Sequence, residues 1–231
     1  MGNNIINEVI KVEIWETHCH TSEVSCCGKS TAEEMATAYK EAGYAGIVIT
    51  DHFEKNTFQK RCLSQDPQDM VAWYLSGYKN AKKAAQCKVL WGIELRFTEN
   101  MNDYLVYGLT EEQLVDLCRD NVFEWGIKWF SEYAKERGIL VFQAHPFRTG
   151  MTVTDPYLLQ GIEVYNGAGH DSRNPIAQWW ADRYGLLKIG GSDAHHVDRT
   201  ATGGIVTDRT IATMEDFCQV IRDEKIRLLM K

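Results

Sequence analysis

The run Ala45-Gly46-Ile47-Val48-Ile49-Thr50-Asp51-His52 decides the fold. An uninterrupted apolar stretch this short has no polar face. It therefore reads as a strand covered on both sides, the situation of strands in a parallel sheet. Its polar end is where such folds collect their chemistry. Upstream, Ser30-Thr31-Ala32-Glu33-Glu34 reads as a capping box opening a helix. Ala32, Met35, Ala36 and Tyr39 form the apolar stripe of that helix, and Gly43 stops it. A strand over 12–19 precedes it. Downstream, the polar stretch 56–69 is expected to be a loop, and 70–86 a helix. Strands follow over 88–97 and 103–108. Thr110-Glu111-Glu112-Gln113 is a second capping box, leading a helix to 121. A helix over 125–137 stops at Gly138, and a strand over 139–146 stops at Pro146. Gly161 to Asn166 is a strand, Pro175 opens a helix through Arg183, and 187–195 is the seventh strand. A peripheral strand over 204–207 and a helix over 213–224 close the chain. Strands alternating with helices imply a parallel sheet. With this many units in one domain spanning 1–231, the expected fold class is α/β, with a closed barrel as its architecture. An open doubly wound sheet is the alternative that the pattern leaves.

Composition narrows the function. The formal charge of −7 lacks the basic face that long nucleic acid requires. No apolar run approaches the roughly 18 residues of a membrane span. The first residues, Met1-Gly2-Asn3-Asn4, show neither the basic nor the apolar region of a secretory signal. Seven cysteines, an odd number with Cys26 and Cys27 adjacent and no Cys-x-x-Cys pair, read as free thiols in a reducing compartment. The expected location is cytoplasmic.

The histidines are placed where strands run out. In Glu16-Thr17-His18-Cys19-His20-Thr21-Ser22, His18 and His20 sit two apart and project to one side of a strand, while Cys19 turns into the core. Asp51 with His52, Glu94, His145, and Asp193 with His195 end further strands. In a parallel barrel all of these ends open on one face, so residues far apart in sequence meet. Imidazole nitrogens with carboxylate oxygens suit Zn, Mn or Fe, and a carboxylate bridges two ions. Glu94 could instead pair with Arg96, but a carboxylate following Gly92-Ile93 is costly to bury without a cation. His170 and His196 are expected at the surface or behind the ligands.

These residues, in this order, resemble the motifs of the PHP (polymerase and histidinol phosphatase) family: His18-x-His20, Thr50-Asp51-His52, Gly92-Ile93-Glu94, His145-Pro146 and Ser192-Asp193-Ala194-His195. The similarity runs from His18 to His195, and Gly161-Ile162-Glu163-Val164-Tyr165-Asn166 resembles a stretch adjoining the family's site. The resemblance implies a distorted (β/α)7 barrel of PHP type and a phosphoesterase site with one to three divalent ions. By that resemblance, His18, His20, Glu94 and Asp193 would hold one ion. Glu94 would bridge to a second ion bound by His145, and His52 with His195 would hold a third. Hydroxide activated by the metals would attack phosphorus, which gives Glu94 and Asp193 catalytic roles. Arg148, following His145-Pro146-Phe147, is the candidate phosphate clamp, because a guanidinium matches phosphate oxygens in pairs.

Two departures stand out. Many members carry an Asp in the turn after His-x-His, where this chain offers Glu23, Cys26 or Cys27. Many carry a His after the Glu94 strand, where this chain offers Asp103 or Tyr104. The leading expectation is hydrolysis of a small phosphomonoester. The alternatives are a phosphoesterase for nucleotide or oligonucleotide ends, and a metal-binding regulatory or sensor module with little catalysis. Barrel amidohydrolases also open with His-x-His, but they use a late-strand Lys. Here the only candidate is Lys188, at the wrong end of its strand.

Overall fold

The computed structural model describes residues 12–85, 87–169 and 171–231. His170 and the residues before Val12 lie outside them, so neither the surface reading of His170 nor the reading of the chain start is tested here. The fold is mixed α/β. Strand β1 (Glu13–Cys19) leads through a folded turn to α1 (Ala32–Glu41). Thr31 is the N-cap of α1, with Glu34 completing the capping box. The decisive apolar run becomes β2 (Gly46–Ile49), which pairs in parallel with β1. After Thr50 and Asp51 the chain resumes as β3 (His52–Glu54).

The stretch expected to be a loop is largely helical: α2 (Lys55–Arg61) and α3 (Pro67–Tyr74) leave only a short connection. Asp66 caps α3 by accepting from the Gln68 and Asp69 backbone N–H groups, with Pro67 behind it. These local signals sit inside a polar sequence that lacks apolar periodicity, which is why the helices are hidden. Helix α4 (Ser76–Ala84) follows a break at Leu75. The expected third strand is likewise two pieces, β4 (Lys88–Trp91) and β5 (Ile93–Arg96), interrupted at Gly92.

Strand β6 (Asp103–Tyr107) corrects the all-parallel expectation. It runs antiparallel to both β5 and β7 (Leu140–Gln143). The connection from β5 to β6 has no helix, so a direct reversal is the only geometry open to it. Helices α5 (Glu111–Arg119) and α6 (Gly126–Arg137) then carry the chain to β7. Strand β8 (Gly161–Asn166), α7 (Asn174–Tyr184) and β9 (Leu187–Gly191) continue in parallel from β7. Strand β9 ends four residues before His195, which therefore stands on a loop. The chain finishes with β10 (Gly203–Thr207), antiparallel to β1, helix α8 (Met214–Arg222), and β11 (Arg227–Met230), a strand the periodicity did not announce.

Hydrogen bonding arranges these strands as β11-β10-β1-β2-β4 and β3-β5-β6-β7-β8-β9. The second sheet is reached from the first by the continuation of β2 into β3 and of β4 into β5. Beyond β9, Ala194 bridges in parallel to Cys19 at the end of β1, and His20 N donates to Ala194 O at 3.0 Å. Aromatic packing fills the space beneath. Phe53, Phe58, Tyr74 and Phe123 form one buried group, and Trp15, Tyr107 and Phe217 another. Burying each such side chain stabilises the fold by about 1.5–3 kcal/mol, which anchors the strands whose ends carry the polar residues. Among the described residues no helix is long and apolar enough to cross a membrane, and all seven cysteines are free.

Candidate metal centre

Strand β1 delivers His18 and His20 to the same side, fully buried, with their Nε2 atoms 3.1 Å apart. Cys19 between them is buried on the opposite side, in the core formed with α1. The site extends outward from this pair. His18 Nε2 lies 3.1 Å from Glu94 Oε1 and 3.4 Å from Asp193 Oδ1. His20 Nε2 lies 3.4 Å from Glu94 Oε2 and 3.4 Å from Asp193 Oδ1. His145 Nε2 is 3.3 Å from Glu94 Oε1, and His52 Nδ1 is 2.7 Å from Glu94 Oε2. Glu94, 1% exposed, is thus the hub on which four imidazoles converge. The alternative pairing of Glu94 with Arg96 is not adopted. Arg96 instead makes a two-pronged bond to Asp103 at 2.6 and 2.7 Å and reaches Glu54 at 3.2 Å.

The polar groups behind the histidines fix which nitrogen faces inward. His18 Nδ1 donates to Glu163 Oε1 at 2.9 Å, so Nε2 is the nitrogen offered to the centre. Glu163 Oε2 also accepts from the His145 backbone N and from Asn166 Nδ2, each at 2.9 Å. His20 Nδ1 donates to Ser25 Oγ at 3.1 Å, and Ser25 Oγ donates to Asp51 Oδ1 at 2.7 Å. Asp51 also accepts from Thr21 N and Thr21 Oγ1, so it is a buried support and not a group facing the cleft. His195 Nδ1 donates to Asp193 O at 3.0 Å. Glu16 Oε1 accepts from the backbone N–H groups of Thr17, His18 and Ser192, tying the end of β1 to the segment bearing Asp193.

Close approach here has a backbone cost. His145 and Asp193 both adopt left-handed backbone, with φ of 30° and 49°. Non-glycine residues accept this only where the surroundings over-determine it, and functional sites are where such strain gathers. Gly191 is required for a related reason: a Cβ there would stand 2.5 Å from His18 Cβ.

The donor set fits divalent ions. Ligand atoms of His18, His20 and Glu94 lie within 4.8 Å of one another, as do those of His20, His52 and His195, and those of His52, Glu94 and Asp103. Glu94 Oε2 and His52 Nδ1 are buried and only 2.7 Å apart, yet neither has a hydrogen bond of acceptable geometry. Such atoms aim at a shared point and not at each other, and burying them unpaired costs free energy that a cation would offset. The electrostatics agree. Burial opposes the His18 imidazolium, but the Asp193, Glu163 and Glu94 carboxylates hold its pKa well above the ordinary value. Burial raises a lone carboxyl, yet His52 and His18 hold Glu94 well below the usual carboxylate range. For Asp193 burial is likewise outweighed, first by His18. Burial, then the neighbouring His195 and His52, push His20 down.

The remaining sequence candidates divide. Asp103 reaches the site from the first residue of β6, 3.8 Å from His145 Nε2, and burial beside Glu94 raises its pKa. Cys27 lies at the rim, lining the same cleft as His195 and His52. Burial would raise its thiol pKa, but those rings lower it to about 6. Cys26 points away, toward Thr57 Oγ1 at 3.9 Å. Glu23 accepts from the Ala32 backbone N with both oxygens, 3.1 and 3.0 Å, and serves the start of α1 and not the metal cluster. Arg148 Nη2 donates to Asp193 Oδ2 at 2.6 Å and to Asn166 Oδ1 at 3.3 Å, while its Nε is buried without a partner. His196 caps a short turn beside Asp198 and lines the outer part of the same cleft. The whole opens into a cleft of about 450 Å³ whose walls include Lys29, Arg96, Arg148 and Arg199.

The fold has counterparts among known proteins. The sequence model of the family described as PHP-associated matches residues 171–226. No curated protein sequence matches the chain. Among solved structures, the chain is similar to PsfC from Pseudomonas syringae PB-5123, with TM-score 0.69, 16% identity, and coverage of 96% of this chain and 92% of PsfC. It is similar to a two-domain protein containing a predicted PHP-like metal-dependent phosphoesterase from Bacteroides vulgatus (TM-score 0.61, 16% identity, 95% and 65% of the two chains). It is also similar to a lesion-specific endonuclease, EndoQ, from Pyrococcus furiosus (TM-score 0.65, 15% identity), covering 94% of this chain but only 58% of the endonuclease. At these identities the likeness establishes a shared PHP-like fold.

Proposed function

We propose that this chain is a metal-dependent phosphoesterase acting on a small phosphomonoester. The observation that carries the reading is the convergence of His18, His20, Glu94 and Asp193 on one buried point, with Glu94 Oε2 unpaired there. In this reading residues 1–231 are one domain, and the two hydrogen-bonded sheets are a single distorted seven-stranded barrel. Its staves are β1, β2 with β3, β4 with β5, then β6 to β9, and the Cys19–Ala194 bridge supports its closure.

His18, His20, Glu94 and Asp193 hold the innermost ion. Glu94 is shared with a second, held by His145, and His52 with His195 face a third. One to three ions of Zn, Mn or Fe suit these donors. Bound there, they supply Lewis acidity toward phosphoryl oxygens and lower the pKa of water near neutral pH. The protein's own residues do the rest. Glu163, Ser25 and the Asp193 carbonyl hold three imidazoles with Nε2 forward. Arg148 lies where its guanidinium can leave Asp193 for a phosphate oxygen, and Lys29 and Arg199 add positive charge at the mouth. Water's oxygen bonds to phosphorus as the ester P–O bond breaks, and the leaving oxygen takes a proton from solvent. The free thiols accord with a cytoplasmic enzyme.

A second reading comes from the likeness to the lesion-specific endonuclease, in which the ester would lie in a nucleic-acid strand. One experiment addresses both. Metal-stripped protein reloaded with Mn or Zn is assayed on p-nitrophenyl phosphate, sugar phosphates, mononucleotides and a duplex bearing an abasic site. Turnover of the monoesters is expected. Cleavage of the duplex alone would transfer the assignment to nucleic acid. Stoichiometric metal binding without turnover on the panel would favour a sensor or regulatory module.

A further inference from the structure

We infer that Cys27 is a thiolate ligand that completes the outer part of the centre, where His52 and His195 stand, and biases that position toward zinc. This rests on the metal-binding part of the reading above and not on the reaction. Ligand nitrogens of His20, His52 and His195 lie within 4.8 Å of one another, and the His20 and His195 rings stack with centroids 4.1 Å apart. With the one free nitrogen of His20 given to the inner ion, His52, His195 and Glu94 Oε2 leave the outer position one donor short of the tetrahedral set that zinc adopts in closed sites. Glu94 Oε2 is buried 2.7 Å from His52 Nδ1 and makes no hydrogen bond, which leaves it free as a donor to a cation on this side.

The turn after β1 is built to bring one thiol there. Ser25 N donates to Thr21 O and Gly28 N to Ser25 O, each at 3.0 Å, folding 21–28 into consecutive tight turns. A Cβ at residue 28 would stand 2.5 Å from Thr21 O, so only glycine lets the turn close on itself. Lys29 N then donates to His195 O at 2.7 Å, and the Ser25 hydroxyl holds both His20 Nδ1 and the His52 backbone N. The segment is thus fastened to His20 and His52 by the Ser25 hydroxyl and to His195 by the Lys29 backbone N–H. Cys27 is the side chain it leaves in the cleft, beside His52 and His195, while Cys26 turns to Thr57. Cys87, Cys118 and Cys218 stand in hydrophobic packing or against α1 and offer no rival thiolate. Soft sulfur favours zinc over manganese at an otherwise nitrogen and oxygen site.

The test reads the metal and not the reaction. Metal-stripped full-length protein is titrated with Co(II), and near-ultraviolet absorption is followed for thiolate-to-cobalt charge transfer. The band is expected in the unaltered protein and in Cys26→Ser, and absent in Cys27→Ser. Zn(II) titration by calorimetry should lose about one equivalent in Cys27→Ser, and Cys27→Asp should restore the equivalent without the band. Full cobalt loading with no such band, or a band that survives Cys27→Ser, overturns the assignment. A band with no phosphoester turnover leaves the ligand in place and sinks the phosphoesterase reading instead.

Discussion

The inner and outer halves of the centre are built differently. Inside, His18, Glu94, Glu163 and Asp193 are all at most 4% exposed, and Glu163 and Glu16 hold the backbones that carry them. Outside, His52 and His195 have side chains 15% and 28% exposed, on a short strand and on a loop. The inner half is closed to solvent and held from behind by Glu163 and Glu16. The outer half is open to water and held from one side only, by Ser25, Lys29 and the Asp193 carbonyl. Preorganised ligands lose less freedom on binding an ion, so the inner position should bind tightly and the outer one should exchange.

The largest test of this contrast is Glu94→Gln. Losing the shared carboxylate should abolish turnover and strip ions from both halves, as read by elemental analysis. Loss of one ion alone would mean that Glu94 does not join the halves. Next is Glu163→Gln, which keeps the size but weakens the hold on His18. About a 10–100-fold loss in affinity for the first ion is expected, with the outer ion's affinity unchanged. Equal weakening of both would erase the distinction. Arg148→Ala should raise KM for a phosphomonoester about tenfold or more, in line with the roughly 1.5–3 kcal/mol of a charged hydrogen bond. Metal content should hold, and a fall would make Arg148 a support for Asp193. Acidification should weaken the inner ion first. The neighbouring carboxylates raise the His18 pKa, so the metal-free site carries a proton there that binding must expel. Affinity therefore rises with pH through neutrality, with proton release measurable by calorimetry in buffers of different ionisation enthalpy. The smallest effect is Glu23→Ala, which should cost about 1 kcal/mol of stability through α1 and leave metal stoichiometry intact.

Much of this was legible in the chain, and what was hidden has physical causes. His18, His20, Glu94, His145 and Asp193 stand at or just beyond apolar runs, and apolar runs are what burial makes visible. Glu163 lies in the strand whose resemblance places it beside the site, but its role, serving an imidazole 145 positions away, leaves no local trace. Ser25 is hidden for the same reason, since its partners His20, Asp51 and His52 are assembled only by folding. Helix α2 and the first turn of α3 fall in the stretch read as a loop, because burial of Thr57 and Phe58 and the Asp66 cap, and not periodicity, stabilise them. The choice among Glu23, Cys26 and Cys27 could not be made from composition, because the turn's path decides which side chain faces in.

The reversal of β6 carries a consequence for how this scaffold could diversify. His18, Asn166 and their neighbours reach the site from the C-terminal ends of β1 and β8, after which the chain turns to α1 and α7. At β6 the chain comes straight back, and Asp103 meets the cleft with the first residue of its strand. The six residues between Arg96 and Asp103 join two strand ends that line the cleft, with Phe97 and Asn102 buried. Lengthening that hairpin would drape new side chains over the entrance without displacing a single helix, which makes it a cheap place for a descendant to acquire a different taste in esters.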